Sequence, residues 1–289
     1  MKKEISTEGI QEKNKAITQG FIEFVEQNKD FKDNNTILIL ILNKINSNLN
    51  SAVFLSSYIM FNEAKIIIRS AFESLVLFEY LLEFPEEIEK YRIEDLIAGF
   101  QGLFNFYKRG FLDRGRLITE YNSYELAVKE KIPFEEITAA GIITYSDKKL
   151  EEYFNGGRKG FRPLSQQTQK MIKILGEKQS HCYQALYLHQ MDLYNFNAQV
   201  SHTRLNTLLQ PVKELDDKEI LSEIQSIFRS SACIYKIIVK TLEQKYGYNI
   251  SEFIKLIYNM MSYLDFEIIK ELESKSKEKQ LIEIIHFLR

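Results

Sequence analysis

Four polar side chains lie in one row along a largely apolar segment, residues 51–84. Asn62, Lys65, Arg69 and Glu73 advance by three, four and four residues, which places them on one stripe of a helix. Arg69 and Glu73 then lie within pairing distance, and an arginine oriented by a carboxylate can hold a phosphate through two hydrogen bonds. The stripe is therefore a candidate for a partly buried ion pair lining a cleft. The alternative is a narrow solvated face, on which such a pair contributes about 0–1 kcal/mol.

A histidine and a tyrosine form a second candidate group, on the predicted helix 181–209. An imidazole exchanges protons near neutral pH, so His202 could serve as a general acid or base. Tyr194 could donate a hydrogen bond or stack on a nucleobase. The alternative is a core histidine, because both residues belong to a largely apolar stripe at helical spacing: Tyr187, Met191, Tyr194, Ala198, His202, Leu205 and Leu209.

A glycine-rich segment over residues 155–163 carries positive charge. Arg158, Lys159 and Arg162 stand there beside Phe161, and positive charge next to a ring suits a phosphate or single-stranded RNA. The Gly-Gly-Arg-Lys-Gly order could also form an anion-binding nest of backbone amides, although the ending of a Walker motif is missing. An ordinary soluble loop is the alternative.

Metal and cofactor signals in the sequence are weak. Glu283 and His286 form a single Glu-x-x-His pair, whereas di-iron bundles use two. Cys182 and Cys233 lack Cys-x-x-Cys spacing, so we expect no structural zinc site. No Rossmann glycine pattern occurs either. We therefore predict neither a metal nor a cofactor.

Composition limits the class of protein further. The chain has 289 residues, 45% of them apolar, which is enough for a large core. Its 38 basic and 40 acidic residues give a net charge of −2, so contact with nucleic acid must be local. The longest aliphatic run, Ile37–Leu42, is far shorter than the roughly 20 residues of a membrane span. The amino terminus resembles no secretory signal, and two cysteines fit a reducing compartment. We expect a soluble cytoplasmic protein.

These residues must be positioned by helices, because helical periodicity dominates the chain. The segment 36–42 alone could be a strand, but the apolar pattern continues at helical spacing. We predict an all-α multi-helix bundle, a single domain over 1–289, with one substantial Gly-rich loop at 144–167 as an alternative point of division. Helices are predicted near 8–28, 35–49, 51–84, 86–109, 113–131, 134–142, 168–178, 181–209, 216–246, 250–272 and 276–288.

The two candidate helices together resemble a family of helical bacterial proteins without an assigned function. The resemblance rests on Ile68-Arg69-Ser70-Ala71-Phe72-Glu73 and on the later Tyr194 and His202, within residues 45–85 and 168–210. More remotely it is similar to HEPN-type bundles of toxin–antitoxin and phage-defence systems, many of which are dimeric, metal-independent ribonucleases. Two departures stand out. Ala198 replaces an expected serine, and no arginine is followed by four to six residues and then a histidine, as the HEPN signature requires.

The resemblance implies a protein that acts on RNA, with Arg69, Glu73, Tyr194 and His202 as catalytic residues. It also implies a homodimer and an antitoxin or defence-system partner. A second hypothesis is a non-catalytic helical module that binds a partner protein or a nucleotide signal. A third, weaker hypothesis is a small-molecule enzyme built in a helix-bundle cleft.

Overall fold

The structure of the chain, a computed structural model, describes residues 7–27, 31, 35–156, 162–163, 167–177 and 216–265. Over these residues the chain is mostly helical, which confirms the predicted all-α fold. The elements in chain order are α1 (Thr7–Glu26), α2 (Thr36–Ser57), α3 (Phe61–Glu83), α4 (Glu87–Lys108), α5 (Arg114–Ser123), α6 (Leu126–Lys129), β1 (Glu135–Ile137), β2 (Ile143–Tyr145), α7 (Asp147–Asn155), α8 (Thr168–Glu177), α9 (Asp217–Tyr246) and α10 (251–265).

Packing divides the chain into two compact units. The first unit comprises Met1–Glu79 and Ile174–Arg289, and the second comprises Tyr80–Lys173. The boundaries fall within α3 and within α8. The prediction of a single domain over 1–289 stays a prediction.

The core of the first unit forms where α2 packs against α1 and α9. Apolar residues of α2 recur at helical spacing and face inward, including Leu42, Ile45 and Leu49, each at most 1% exposed. On α1, the ring of Phe21 lies 5.2 Å from that of Tyr235 and 5.5 Å from that of Phe253, measured between centroids. Burial of these faces provides the main favourable contribution to folding.

Helix α2 is also long and apolar enough to cross a membrane, judged by length and composition alone. In the structure, 44% of its most apolar window is buried within the protein. Core helices of soluble proteins meet the same criteria, so this is a weak indication.

The boundary between α2 and α3 lies further along the chain than predicted. A helix was predicted near 35–49, but α2 continues to Ser57 because Ala52, Val53 and Ser56 extend its buried face. The helix then ends in a Schellman motif. The N–H of Ile59 donates to the carbonyl of Ser56 and that of Met60 to the carbonyl of Leu55, each at 3.0 Å. No glycine or proline marks this turn, which is why the sequence did not reveal it.

The second unit contains a β-hairpin where the sequence analysis predicted a helix over 134–142. Strands β1 and β2 pair antiparallel, with Glu135 opposite Tyr145. Gly141 turns the chain with a φ of 74°, a conformation that favours glycine, and its N–H donates to the carbonyl of Thr138. Phe134, immediately before β1, is fully buried, and its ring lies 5.0 Å from that of Tyr145 between centroids. Local packing of aromatic side chains thus overrides the helical pattern.

Part of the predicted 144–167 loop is also structured. Helix α7 begins after Ser146, whose side chain accepts a hydrogen bond from the backbone N–H of Lys149. Leu150 and Phe154 bury one face of α7 in the core of the second unit. Residues 147–155 of the predicted loop are therefore helical, and the described residues Gly156, Arg162, Pro163 and Gln167 lie outside helices and strands.

Candidate functional site

The polar stripe of α3 lies on a helix that is otherwise packed into the first unit. Ala64, Ile68, Ala71, Phe72 and Leu75 are at most 1% exposed, so one face of the helix is fully buried. On the remaining face, Asn62 is exposed, whereas Lys65, Arg69 and Glu73 are half-buried. The predicted grouping of these four residues on one stripe agrees with this burial pattern.

Arg69 and Glu73 form the ion pair that their spacing predicts. Nε of Arg69 donates to Oε1 of Glu73 at 3.0 Å, and the two side chains are 15% and 34% exposed. The contact is therefore partly shielded from water, unlike most surface pairs. A carboxylate on Nε fixes the plane of the guanidinium, which is the orientation that recognition of a phosphate requires.

A residue of α9 completes the stripe. Nζ of Lys65 lies 2.9 Å from Oε2 of Glu223, with side chains 18% and 36% exposed. This ion pair links α3 to α9, which are far apart in the chain. No local sequence pattern predicts Glu223 as the partner of Lys65, because the two residues are far apart in the chain.

Further along α3 a buried carboxylate contacts the same helix, α9. Oε1 of Glu79 accepts a hydrogen bond of 2.8 Å from the hydroxyl of Thr241, and Glu79 is 3% exposed. Buried carboxylates are rare without partners, because desolvation penalises the charge. Glu79 was not among the predicted site residues, although an acidic residue within the apolar run Leu75–Leu82 was a visible signal.

Polar contacts also join α1, α2 and α9 inside the first unit. The hydroxyl of Tyr235 donates to Oδ1 of Asn46 at 2.6 Å, and Nδ2 of Asn46 donates to the carbonyl of Thr18 at 3.3 Å. Burial raises the pKa of Tyr235, so its hydroxyl stays protonated and available as a donor. These bonds satisfy buried polar groups and fix the side chain of Asn46.

The α3 stripe holds an oriented guanidinium, that of Arg69, beside a carboxylate. No group of three or more His, Cys, Asp or Glu side chains that could hold a metal ion occurs within the described ranges. An oriented guanidinium can bind a phosphate or stabilise the negative charge that develops on phosphorus during RNA cleavage.

Of the other predicted site residues, the structure describes only some. Tyr194, His202, Arg158 and Lys159 lie outside the described residues. Arg162 is described and exposed, and its carbonyl accepts a hydrogen bond of 2.8 Å from Nε2 of Gln167. The structure thus brings Arg69 and Glu73 together, and the convergence of Tyr194 and His202 with them stays a prediction.

Comparison with known proteins gives a family and no more specific relative. Residues 35–220 match DUF5677, a family of unknown function. Neither the curated proteins nor the solved structures contain a match. The matched region is more than half of the chain and includes Arg69, Glu73, Tyr194 and His202. The chain therefore belongs to the DUF5677 family.

Proposed function

We propose that this protein is a HEPN-like defence or toxin-type protein that acts on RNA and cleaves it without a metal ion. The observation that carries the proposal is the partly buried Arg69–Glu73 pair, in which a carboxylate orients a guanidinium. Such a group binds a phosphate more strongly than an exposed arginine does, because fewer water molecules screen the charge.

The reaction assigns one role to each of the predicted catalytic residues. His202 takes the proton from a ribose 2′-hydroxyl, whose oxygen attacks the adjacent phosphorus. Arg69 stabilises the phosphorane charge, and Glu73 positions Arg69. The bond from phosphorus to the 5′-oxygen breaks, a proton passes to that oxygen, and a 2′,3′-cyclic phosphate and a 5′-hydroxyl result. Tyr194 contributes a hydrogen-bond donor or a surface on which a base stacks.

The basic loop supplies a further contact with RNA in this proposal. Arg158, Lys159 and Arg162 attract the phosphate backbone next to the ring of Phe161. The exposed position of Arg162 supports such a role.

The test is an RNA cleavage assay on the full chain with excess EDTA. We expect denaturing gels to show fragments that end in cyclic phosphate, and we expect Arg69→Ala and His202→Ala each to lower the rate at least about 100-fold. Arg116→Ala is the matched control, because Arg116 pairs with Glu120 at the same spacing but is 61% exposed. Its rate should equal that of the unmodified protein.

Intact RNA with the unmodified protein, or equal loss of activity in the Arg116 control, would refute the ribonuclease proposal. Circular dichroism on each variant separates loss of catalysis from loss of folding.

A second candidate function is a non-catalytic helical module that binds a partner protein or a nucleotide signal. The pairing of Lys65 with Glu223 favours this function, because an ion pair between two helices can fix the packing of α3 against α9 without taking part in catalysis. In that case Arg69→Ala alters partner binding or stability, and no cleavage occurs in any variant.

The proposal includes a cytoplasmic homodimer and an antitoxin or defence-system partner. Support for a protein contact comes from exposed apolar side chains around the end of α2, namely Phe54, Tyr58, Ile59 and Met60, which are 43–57% exposed.

A further inference from the structure

Helix α9 of the first unit presents a narrow row of basic side chains to solvent. Most of its other positions are buried, among them Ile234 and Ile238, which have no exposed surface. Arg229 and Lys240 are exposed, and Lys236 is half-buried. These three residues stand at positions i, i+7 and i+11, which places them on one side of the helix. We refer to Arg229, Lys236 and Lys240 as the α9 basic stripe.

The charges of the α9 basic stripe all have the same sign. Between positions 224 and 242 the sequence of α9 contains these three basic residues and no Asp or Glu. Glu and Lys four residues apart stabilise a helix, whereas Lys236 and Lys240 carry like charges at that spacing and destabilise it. The helix dipole does not account for Lys236, because its effect is confined to the last turn and α9 continues to Tyr246. A bound anion would offset this repulsion.

Two of the three cations are not neutralised by a carboxylate. Nζ of Lys236 lies 4.9 Å from the ring centroid of Tyr258, and within the described residues neither Lys236 nor Lys240 forms an ion pair. Arg229 is paired only loosely, because its Nη2 lies 3.8 Å from Oδ1 of Asp265 and the two side chains are 59% and 51% exposed. The stripe therefore keeps a local positive charge in a chain whose net charge is −2.

An exposed aromatic ring stands beside the α9 basic stripe. Tyr258 of α10 is 56% exposed, and its contact with Lys236 holds it next to the cations. Cations that contact phosphates beside a ring that stacks on bases are the means by which proteins bind single-stranded nucleic acid. Membrane binding would require an exposed apolar face. The exposed positions that continue the stripe toward the start of α9 are instead Ser222 and Ser226.

We propose that the α9 basic stripe and Tyr258 bind a single strand of RNA. Arg229 and Lys240 are eleven residues apart, so the stripe is about 16 Å long. At roughly 3.4 Å per stacked nucleotide, this length corresponds to about five nucleotides. The inference rests on the proposed action on RNA, and it assigns strand binding to residues outside the α3 stripe and outside the basic loop.

The test is fluorescence anisotropy of the full chain with a labelled single strand of about 12 2′-O-methyl nucleotides, at salt concentrations from about 50 to 200 mM. The blocked 2′-oxygen cannot attack phosphorus, so binding is measured without cleavage. We expect the double variant Lys236→Gln, Lys240→Gln to lower the slope of log K against log salt by about 1.4, because each phosphate contact on a single strand contributes about 0.7. Its affinity at about 50 mM salt should fall at least about tenfold.

The ring is tested separately with Tyr258→Leu. Base stacking releases no counterions, so this variant should bind the strand at least about fivefold more weakly with an unchanged salt slope. A changed slope in Tyr258→Leu would contradict the role assigned to the ring.

The matched control is the double variant Lys15→Gln, Lys44→Gln. It removes the same charge from two exposed lysines of α1 and α2. Helix α2 contacts the buried side of α9, where Asn46 accepts the hydrogen bond from Tyr235, so neither lysine belongs to the stripe. Slope and affinity should equal those of the unmodified protein, and circular dichroism checks that every variant is folded.

The inference is overturned if the strand does not bind, if the stripe variant keeps the slope and affinity of the unmodified protein, or if the control loses as much. Tighter, stripe-dependent binding to phosphatidylserine vesicles than to the strand would overturn it as well. Cleavage of unmodified RNA is measured separately. A strand that is bound through the stripe but not cleaved would refute only the ribonuclease proposal, and cleavage without stripe-dependent binding would refute only this inference.

Discussion

Single residues show how far local spacing determines a site. The Arg69–Glu73 pair was predictable because two residues four apart on a helix are neighbours whatever surrounds the helix. The half-buried state of the pair was suggested by the apolar residues that bracket it. Its partners across the bundle were not predictable, since the contact of Lys65 with Glu223 depends on how α9 returns to α3.

Ile59 adopts a backbone conformation that its residue type does not predict. It has a φ of 64°, in the left-handed region that a β-branched residue rarely adopts, and its side chain is 54% exposed. We expect Ile59→Gly to raise the free energy of unfolding by about 0.5–1 kcal/mol, because relief of strain exceeds the entropic cost of glycine.

Urea denaturation of the two proteins measures this change. Ile66→Gly is the control, because Ile66 is similarly exposed at 41% but lies inside α3. That variant should lose about 1 kcal/mol. A destabilised Ile59→Gly protein would show that the side chain of Ile59 contributes more packing than strain.

At the scale of elements, the amphipathic helices could be predicted from the sequence. The elements that were predicted wrongly differ for physical reasons. Helices α1 and α4 lie within two residues of their predicted bounds, because their apolar periodicity is sustained. The hairpin of β1 and β2 was missed, since its cause is the burial of Phe134 against rings from other elements.

Helix α5 contains a buried tyrosine, Tyr121, which makes the free energy of unfolding depend on pH in the alkaline range. Tyr121 is 1% exposed, and burial raises its pKa to about 12, with the charge of Glu135 as a lesser cause. Because the pKa of Tyr121 is higher in the folded than in the unfolded state, its neutral hydroxyl contributes fully to the free energy of unfolding below the unfolded pKa near 10. This contribution is lost as the pH rises through 12.

We expect Tyr121→Phe to make the decline of unfolding free energy between pH 10 and 12 shallower, by at most about 3 kcal/mol over that interval. Denaturation curves at several pH values measure this slope. Tyr58→Phe is the control, because Tyr58 is 57% exposed. Identical slopes for Tyr121→Phe and the unmodified protein would contradict the assigned role of burial.

At the scale of the molecule, the second unit is one continuous segment with its own core. Residues of α4 to α7 and of the hairpin form a single hydrophobic cluster, and many of its members are aromatic: Phe100, Phe104, Tyr121, Phe134 and Phe154. The first unit is assembled from two segments, Met1–Glu79 and Ile174–Arg289. This arrangement could not be read from the sequence, because the boundaries lie inside helices and no linker composition marks them.

We therefore expect a fragment of residues 80–173 to fold alone, since its length is that of a typical small domain and its core is internal. The measurement is circular dichroism, which should show helix and a cooperative thermal transition. Phe100→Ala should abolish the transition, because emptying a fully buried site costs about 3–5 kcal/mol. Phe111→Ala should leave it intact, because Phe111 is 75% exposed. A fragment without a cooperative transition would mean that this core forms only within the whole chain, as the prediction of a single domain over 1–289 requires.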